Sequence, residues 1–196
     1  MHIRRSSFTA LLTSLLMSVF LLSGCTSIIH SVTDEPIQPD EGKRSFGSMI
    51  DDKQLEVVVG VNIKKASAAL EQAHLNVSAY NGVILLTGQV GDNQSRLLAG
   101  ETANKARGVR QVHNEIEIAP ATSAMIRTAD SWLSTKVKTK LLAYKDIPGR
   151  RINVVTENST VFLMGLLSRV EAEKATNVAR NTGGVRKVVK VFEYID

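Results

Sequence analysis

Few residues in this chain are of types that do chemistry, and their spacing narrows the choice further. Cysteine occurs once, at Cys25, and histidine four times, at His2, His30, His74 and His113. A single Cys excludes an internal disulfide framework and any multi-Cys zinc or iron–sulfur site. The histidines stand in no His-x-x-x-His or carboxylate-spaced arrangement that would hold a metal. His74 and His113 therefore read as surface or packing residues, and His30 as a solvated one. No G-x-S-x-G, phosphate-loop or G-x-G-x-x-G motif occurs. Glu171 and Glu173 stand near the start of an expected helix, where acids favour the helix dipole. The pattern predicts a non-catalytic chain with no cofactor and no metal site.

The remaining chemistry is modification of Cys25 itself. Arg4 and Arg5 open the chain, an apolar stretch runs from Phe8 to Leu22, and Leu22-Ser23-Gly24-Cys25 closes it. The stretch, about fifteen residues, is short of the roughly twenty a helix needs to span hydrocarbon. A basic start, an apolar middle and a small-residue exit make a secretory leader. Small residues before the cut fit a narrow peptidase pocket, and only a thiol at that place can take a diacylglyceryl group. The segment resembles a bacterial lipobox, with residues 1–24 removed and Cys25 as the lipid anchor. Each buried CH₂ of an acyl chain contributes roughly 0.8 kcal/mol, and two or more chains anchor stably. Thr26 stands where lipoproteins held at the inner membrane typically carry Asp. The lipobox resemblance thus implies a lipid-anchored, non-spanning protein on the periplasmic face of the outer membrane.

The elements that position any working surface lie beyond the anchor. The 196 residues, 43% apolar and 22% charged, allow one or two ordinary domains and exclude a wholly disordered, collagen-like or multi-span chain. Residues 25–50, with Pro36, Pro39 and no lasting periodicity, read as a flexible tether. Beyond it the sequence repeats. Asn76-Val77 through Gly88 matches Asn153-Val154 through Gly165, Gly108–Val112 matches Gly184–Val188, and Leu55, Val59 and Ile63 match Leu133, Val137 and Leu141. Two homologous domains follow, 51–120 and 121–196. In each, apolar residues at i, i+4 and i+8 give an amphipathic helix, Ser131 to Tyr144 in the second copy. Two strands come next, joined at Asn81-Gly82 or Asn158-Ser159. An Ala-rich helix, 94–106 or 170–181, is expected to close at Gly108 or Gly183-Gly184, and a last strand, 109–118 or 185–194, completes an αββαβ unit. One small sheet with helices on one face buries a modest core, so each domain alone should be only moderately stable.

With the lipobox and tether, the segments NVSAYNGVILLTGQV (76–90) and NVVTENSTVFLMGLL (153–167), each followed by GVRxV, resemble the BON-domain proteins, and in particular the dual-BON outer-membrane lipoproteins. The resemblance covers essentially the whole mature chain. It implies an α+β fold: two tandem αββαβ BON domains, each a small three-stranded mixed sheet packed on two helices. Ser159 departs from the hairpin Gly usual at that turn. BON domains are regarded as phospholipid-binding or interaction modules without known catalysis.

Charge is uneven along the chain. Residues 51–120 carry seven bases and eight acids, whereas residues 121–196 carry thirteen bases and seven acids. With about 100° per residue, Leu133, Val137, Leu141 and Tyr144 form the core stripe of the helix in the basic domain. Trp132 and Leu142 fall off that stripe, with Lys136 and Lys140 on one border and Lys138 on the other. An indole at a headgroup boundary, flanked by lysines each contributing roughly 1 kcal/mol, suits an anionic lipid surface. The alternatives for Trp132 and Leu142, ranked behind lipid, are packing between the domains, with Val57 and Val61 as the other half, and then a protein partner. The resemblance implies anionic phospholipid, in the periplasm phosphatidylglycerol or cardiolipin, bound through the second domain. It carries that role to Trp132, Leu133, Lys136, Lys140 and Leu142, and more weakly to Gly165 and Leu166. It also implies a part in outer-membrane integrity with recruitment to division sites. The rival is an adaptor using the near-neutral first domain on a protein such as the β-barrel assembly machinery. An exported, lipidated location removes nucleic acid as a partner.

Overall fold

The structure, a computed structural model, describes Gly42 and residues 44–196; the leader, Cys25, His30 and most of the tether lie outside the described residues. Folded structure starts earlier than the tether reading expects. Ser45 accepts a hydrogen bond from the Ser48 amide at 3.1 Å and caps helix α1, Phe46–Ala66, so residues 46–50 are helical. Leu55, Val59 and Ile63 of α1 are buried, as their spacing predicts. Ser67, in an extended conformation, interrupts the helix and caps a short α2, Ala68–Gln72, which delivers Leu70 to the core.

Strands β1 (His74–Tyr80) and β2 (Val83–Val90) pair antiparallel. Asn81 and Gly82 between them hold φ of +52° and +75°, the left-handed pair that a two-residue hairpin turn needs. Helix α3, Asn93–Asn104, capped by Asp92, crosses back to an interrupted edge strand, β3 (Gln111–Asn114) and β4 (Glu117–Ile118), both parallel to β2. The second domain repeats this order. Helix α4 spans Ala124–Ala143, a 3₁₀ turn covers Gly149–Arg151, and β5 (Asn153–Glu157) and β6 (Thr160–Leu167) form the hairpin. Helix α5 (Arg169–Arg180) then leads to β7 (Lys187–Tyr194), parallel to β6.

Several boundaries differ from the sequence reading for local reasons. Helix α4 begins at Ala124 because Ser123 caps it. Helices α3 and α5 end at Asn104 and Arg180, so Gly108 (φ +92°) and Gly184 (φ +103°) serve the turn into the last strand instead of the helix cap. Tyr144 leaves the α4 stripe, since it is the extended C-cap residue and its side chain is exposed. Glu171 forms a capping box with Ser168, while Glu173 pairs with Lys190 at 2.6 Å.

Ser159 adopts φ +60° after Asn158 at +48°, so the turn keeps the hairpin geometry without glycine. Asp130, buried on α4, explains how: its carboxylate accepts from the Asn158 amide at 2.7 Å and from the Ser159 amide at 2.8 Å. Asp52, at the matching place on α1, does the same for Asn81 and Gly82, both at 2.8 Å.

The two sheets bury both of their faces. One alternating set from each sheet packs on its own helices: Ile84 and Leu86 with Val59 and Ile63, and Leu163 and Leu167 with Val137 and Leu141. The opposite set meets between the domains, where Tyr80, Val83 and Leu85 pack with Phe162, Met164 and Val191. The layers therefore run helices, sheet, sheet, helices. This third core supplies what a lone αββαβ unit lacks. Polar bonds close its rim. Glu157, buried, accepts from Gln89 Nε2 at 2.8 Å and Asn76 Nδ2 at 3.1 Å, and Arg110 pairs with Glu193 at 2.7 Å.

Candidate functional site

The sheet-to-sheet seam leaves the outer faces of the helices uncovered. On α4, Leu133, Val137 and Leu141 point into the core, and the opposite strip faces water. Trp132 is 69% exposed and Leu142 51%. Met125, seven residues before Trp132 and so on the same strip, is 82% exposed. Packing between domains, one of the three occupants the sequence left open for Trp132 and Leu142, is thus made elsewhere, by the sheets. Val57 and Val61 are likewise exposed on α1.

The lysines around the strip differ in what their ammonium groups do. Lys136 and Lys140 are exposed and reach the carbonyls of Gly183 at 3.0 Å and Asn181 at 3.5 Å, past the end of α5. Lys138 turns away from the strip and donates to the carbonyls of Gly149 at 2.8 Å and Ile152 at 2.5 Å. Partial burial lowers its pKa below the usual lysine value, and the Arg44 charge adds to that. It braces the 3₁₀ turn against α4.

The other residues named from the sequence sit further in. Leu133 is a core residue at 7% exposure, so it supports the strip from beneath. Gly165 is buried in β6, where a Cβ would come within 2.7 Å of the Arg151 carbonyl oxygen; close backbone approach is its visible role. Leu166 is half-buried against the seam cluster. Cys25 lies outside the described residues.

Sequence reading missed a second feature, an open cleft of about 520 Å³ where the end of α4 meets the first domain. Its lining joins Leu142, Tyr144, Lys145, Arg150 and Arg151 to Arg44, Met49 and Tyr80. The Arg44 guanidinium stacks 3.6 Å from the Tyr80 ring centre and pairs with Asp52 at 2.5 Å. Tyr80 donates its hydroxyl to the Arg151 carbonyl at 2.6 Å, and burial raises its pKa above the ordinary tyrosine value. Residues 144–151 carry a Tyr, a Lys and two Arg close together, a visible signal; its convergence with Arg44 across 100 residues was not visible. Met125 could have been found from Ser123, a capping residue followed by apolar Met125 and Ile126. Among the described residues no helix is long and apolar enough to cross a membrane.

Comparison with known proteins places this geometry. The BON domain profile matches residues 51–120 and 129–196. The chain is 39% identical over 166 residues to the 21 kDa hemolysin of Actinobacillus pleuropneumoniae, covering 85% of this chain and 84% of that one. It is 32% identical over 182 residues to the outer membrane lipoprotein DolP of Haemophilus influenzae, covering 93% of this chain and 94% of the relative. A solved C-terminal domain of CdsD, the structural protein of the Chlamydia trachomatis type III secretion system, is only remotely similar, with a TM-score of 0.30 at 11% identity over 69% of this chain and 96% of that one. Two αββαβ units, two profile matches and a full-length lipoprotein relative agree: the chain belongs to the BON domain family and is a dual-BON protein similar to DolP.

Proposed function

We propose that this chain is a non-catalytic outer-membrane lipoprotein, acylated on Cys25, that docks on anionic phospholipid through the outer strip of α4. The supporting observation is the strip itself. Trp132, Met125 and Leu142 stand in water on the basic domain, with Lys136 and Lys140 exposed beside them. A monomeric domain leaves such a patch uncovered when something else covers it. Phosphatidylglycerol or cardiolipin supplies both an apolar boundary for the indole and negative charge for the lysines. The anchor and the strip then act on one surface, each raising the effective concentration of the other. Support of outer-membrane integrity and recruitment to lipid-rich division sites follow from the family resemblance.

Vesicle sedimentation of the mature chain carrying Cys25→Ser tests this reading. Binding to phosphatidylglycerol vesicles should fall steeply with salt. Lys136→Gln/Lys140→Gln should weaken it by about 2 kcal/mol, roughly thirtyfold. Salt-independent binding unchanged in that variant would reject the reading.

One observation favours an additional protein partner. On α1, Val57 is 65% exposed, Val58 48% and Val61 44%, an apolar run with Lys53 before it and Lys64 and Lys65 after it. That face suits an apolar protein surface, for which the β-barrel assembly machinery is a candidate.

A further inference from the structure

The cleft beside α4 has a composition that the strip lacks. Arg44, Lys145, Arg150 and Arg151 converge on it, while Leu142, Tyr144 and Met49 supply apolar surface at the same place. Asp52, which lines a separate cleft beside the first hairpin turn, is already occupied by Arg44 and by two turn amides. Lys145 and Arg150 are exposed and make no ion pair among the described residues. Among the described residues no carboxylate lines the cleft. Concentrated positive charge with a half-apolar wall complements a phosphodiester attached to a hydrocarbon-bearing group, and guanidinium groups suit phosphate oxygens through paired N–H donors.

Position adds a second argument. The chain enters the folded body at this cleft: Gly42 is buried against the Arg151 guanidinium, and Arg44 lies on Tyr80. Sixteen residues lie between Cys25 and Gly42, so the two are at most about 60 Å apart along extended chain. An acylated Cys25 therefore keeps the cleft within that reach of a membrane surface. Leu142 belongs both to the strip and to the cleft lining, so a membrane that meets Trp132 and Leu142 brings headgroups to Lys145 and Arg150.

We propose that the cleft binds the phosphodiester headgroup of one anionic phospholipid molecule, with Lys145 and Arg150 as its direct ligands. This rests on the docking reading above and extends it. The strip makes a general surface contact, whereas the cleft selects one lipid and draws residues of both domains into the site. Arg44 and Tyr80 from the first domain form its floor. Lys138, bonded to the carbonyls of Gly149 and Ile152, holds the loop that carries Arg150.

Titration of the ¹⁵N-labelled mature chain carrying Cys25→Ser with dihexanoylphosphatidylglycerol below its micelle concentration tests the site. Saturable amide shifts are expected at 144–151 and at Arg44. The Lys145→Ala/Arg150→Ala variant should bind that lipid at least tenfold more weakly, and the charge-matched Lys64→Ala/Lys65→Ala variant on α1 should leave its binding unchanged. Dihexanoylphosphatidylcholine should shift these amides far less. Equal binding of the anionic lipid by parent and double variant would overturn the cleft, even where vesicle binding through the strip persists. Competition by inorganic phosphate at equal concentration would overturn the lipid as the ligand. Absence of binding to both the short-chain lipid and anionic vesicles would remove the cleft and the docking reading together.

Discussion

Phe162 decides whether the two domains form one body. It lies on β6 beside Leu163, on the opposite face, so the two residues report on different cores. In an isolated αββαβ unit the Phe162 face would meet water, and Phe162→Ala would fall within the roughly 0.5 kcal/mol of an ordinary surface substitution. In the structure Phe162 is 4% exposed and packs among Tyr80, Val83 and Leu85 of the other domain. Truncating a fully buried Phe loses its transfer free energy and leaves a cavity, about 3–5 kcal/mol together. For a folded body of this size each kcal/mol shifts Tm by roughly 2–4 °C, so about 3 kcal/mol lowers it by roughly 6–12 °C. Urea unfolding followed by circular dichroism at 222 nm should show one transition for the parent and a lower midpoint for Phe162→Ala. Leu163→Ala should be destabilising in either arrangement and serves as the control. A Phe162→Ala cost under about 0.5 kcal/mol, with Leu163→Ala costly, would refute the seam.

Other expectations follow from single contacts. Asp130→Ala removes two charge-assisted bonds to the hairpin turn and should cost about 3 kcal/mol in urea unfolding. Ser159→Gly relieves a left-handed serine and should leave stability unchanged or raise it by up to about 1 kcal/mol. Gly165→Ala drives a Cβ towards the Arg151 carbonyl and should destabilise by about 1–3 kcal/mol, while moving the loop that lines the cleft. Tyr80 ionises in the unfolded chain near its ordinary value and later in the folded one. Above about pH 10 the folded state therefore holds the extra proton, and stability falls as pH rises. Tyr80→Phe should lose about 1 kcal/mol at neutral pH, with the Tyr80–Arg151 bond, but decline less above pH 10. Phenolate absorbance should show Tyr80 ionising above the ordinary tyrosine range.

Periodicity and repetition made the elements legible. Leu55, Val59 and Ile63, and their counterparts Leu133, Val137 and Leu141, fill the cores that their spacing assigns them. Asn81-Gly82 turns as that dipeptide demands. What stayed hidden depends on contacts distant in sequence. The continuous apolar runs of β2 and β6 are consistent with strands buried on both faces, yet nothing local says that each sheet's second face meets the other sheet. Asp52 and Asp130 look like solvated helix acids in the sequence and are turn anchors in the fold. Helix ends were misplaced where a serine cap, Ser45 or Ser123, lay outside the apolar stripe. Tyr144 fitted the stripe by angle, but the helix stops one residue before it. The exposed strip at Trp132 was visible from angle alone, whereas the cleft required Arg44 and Tyr80 to arrive from the other domain.

The central claim is that the outer strip of α4 meets anionic lipid, and Trp132→Glu tests it most directly. Trp132 is mostly in water, so the substitution should leave the circular dichroism spectrum and urea midpoint unchanged. The parent is expected to bind phosphatidylglycerol vesicles and not phosphatidylcholine vesicles, with the indole emission shifting to the blue as it leaves water. The folded Trp132→Glu protein is expected to lose that binding. Equal binding by the two proteins, or binding by neither, would contradict the account and turn attention to a protein partner on α1.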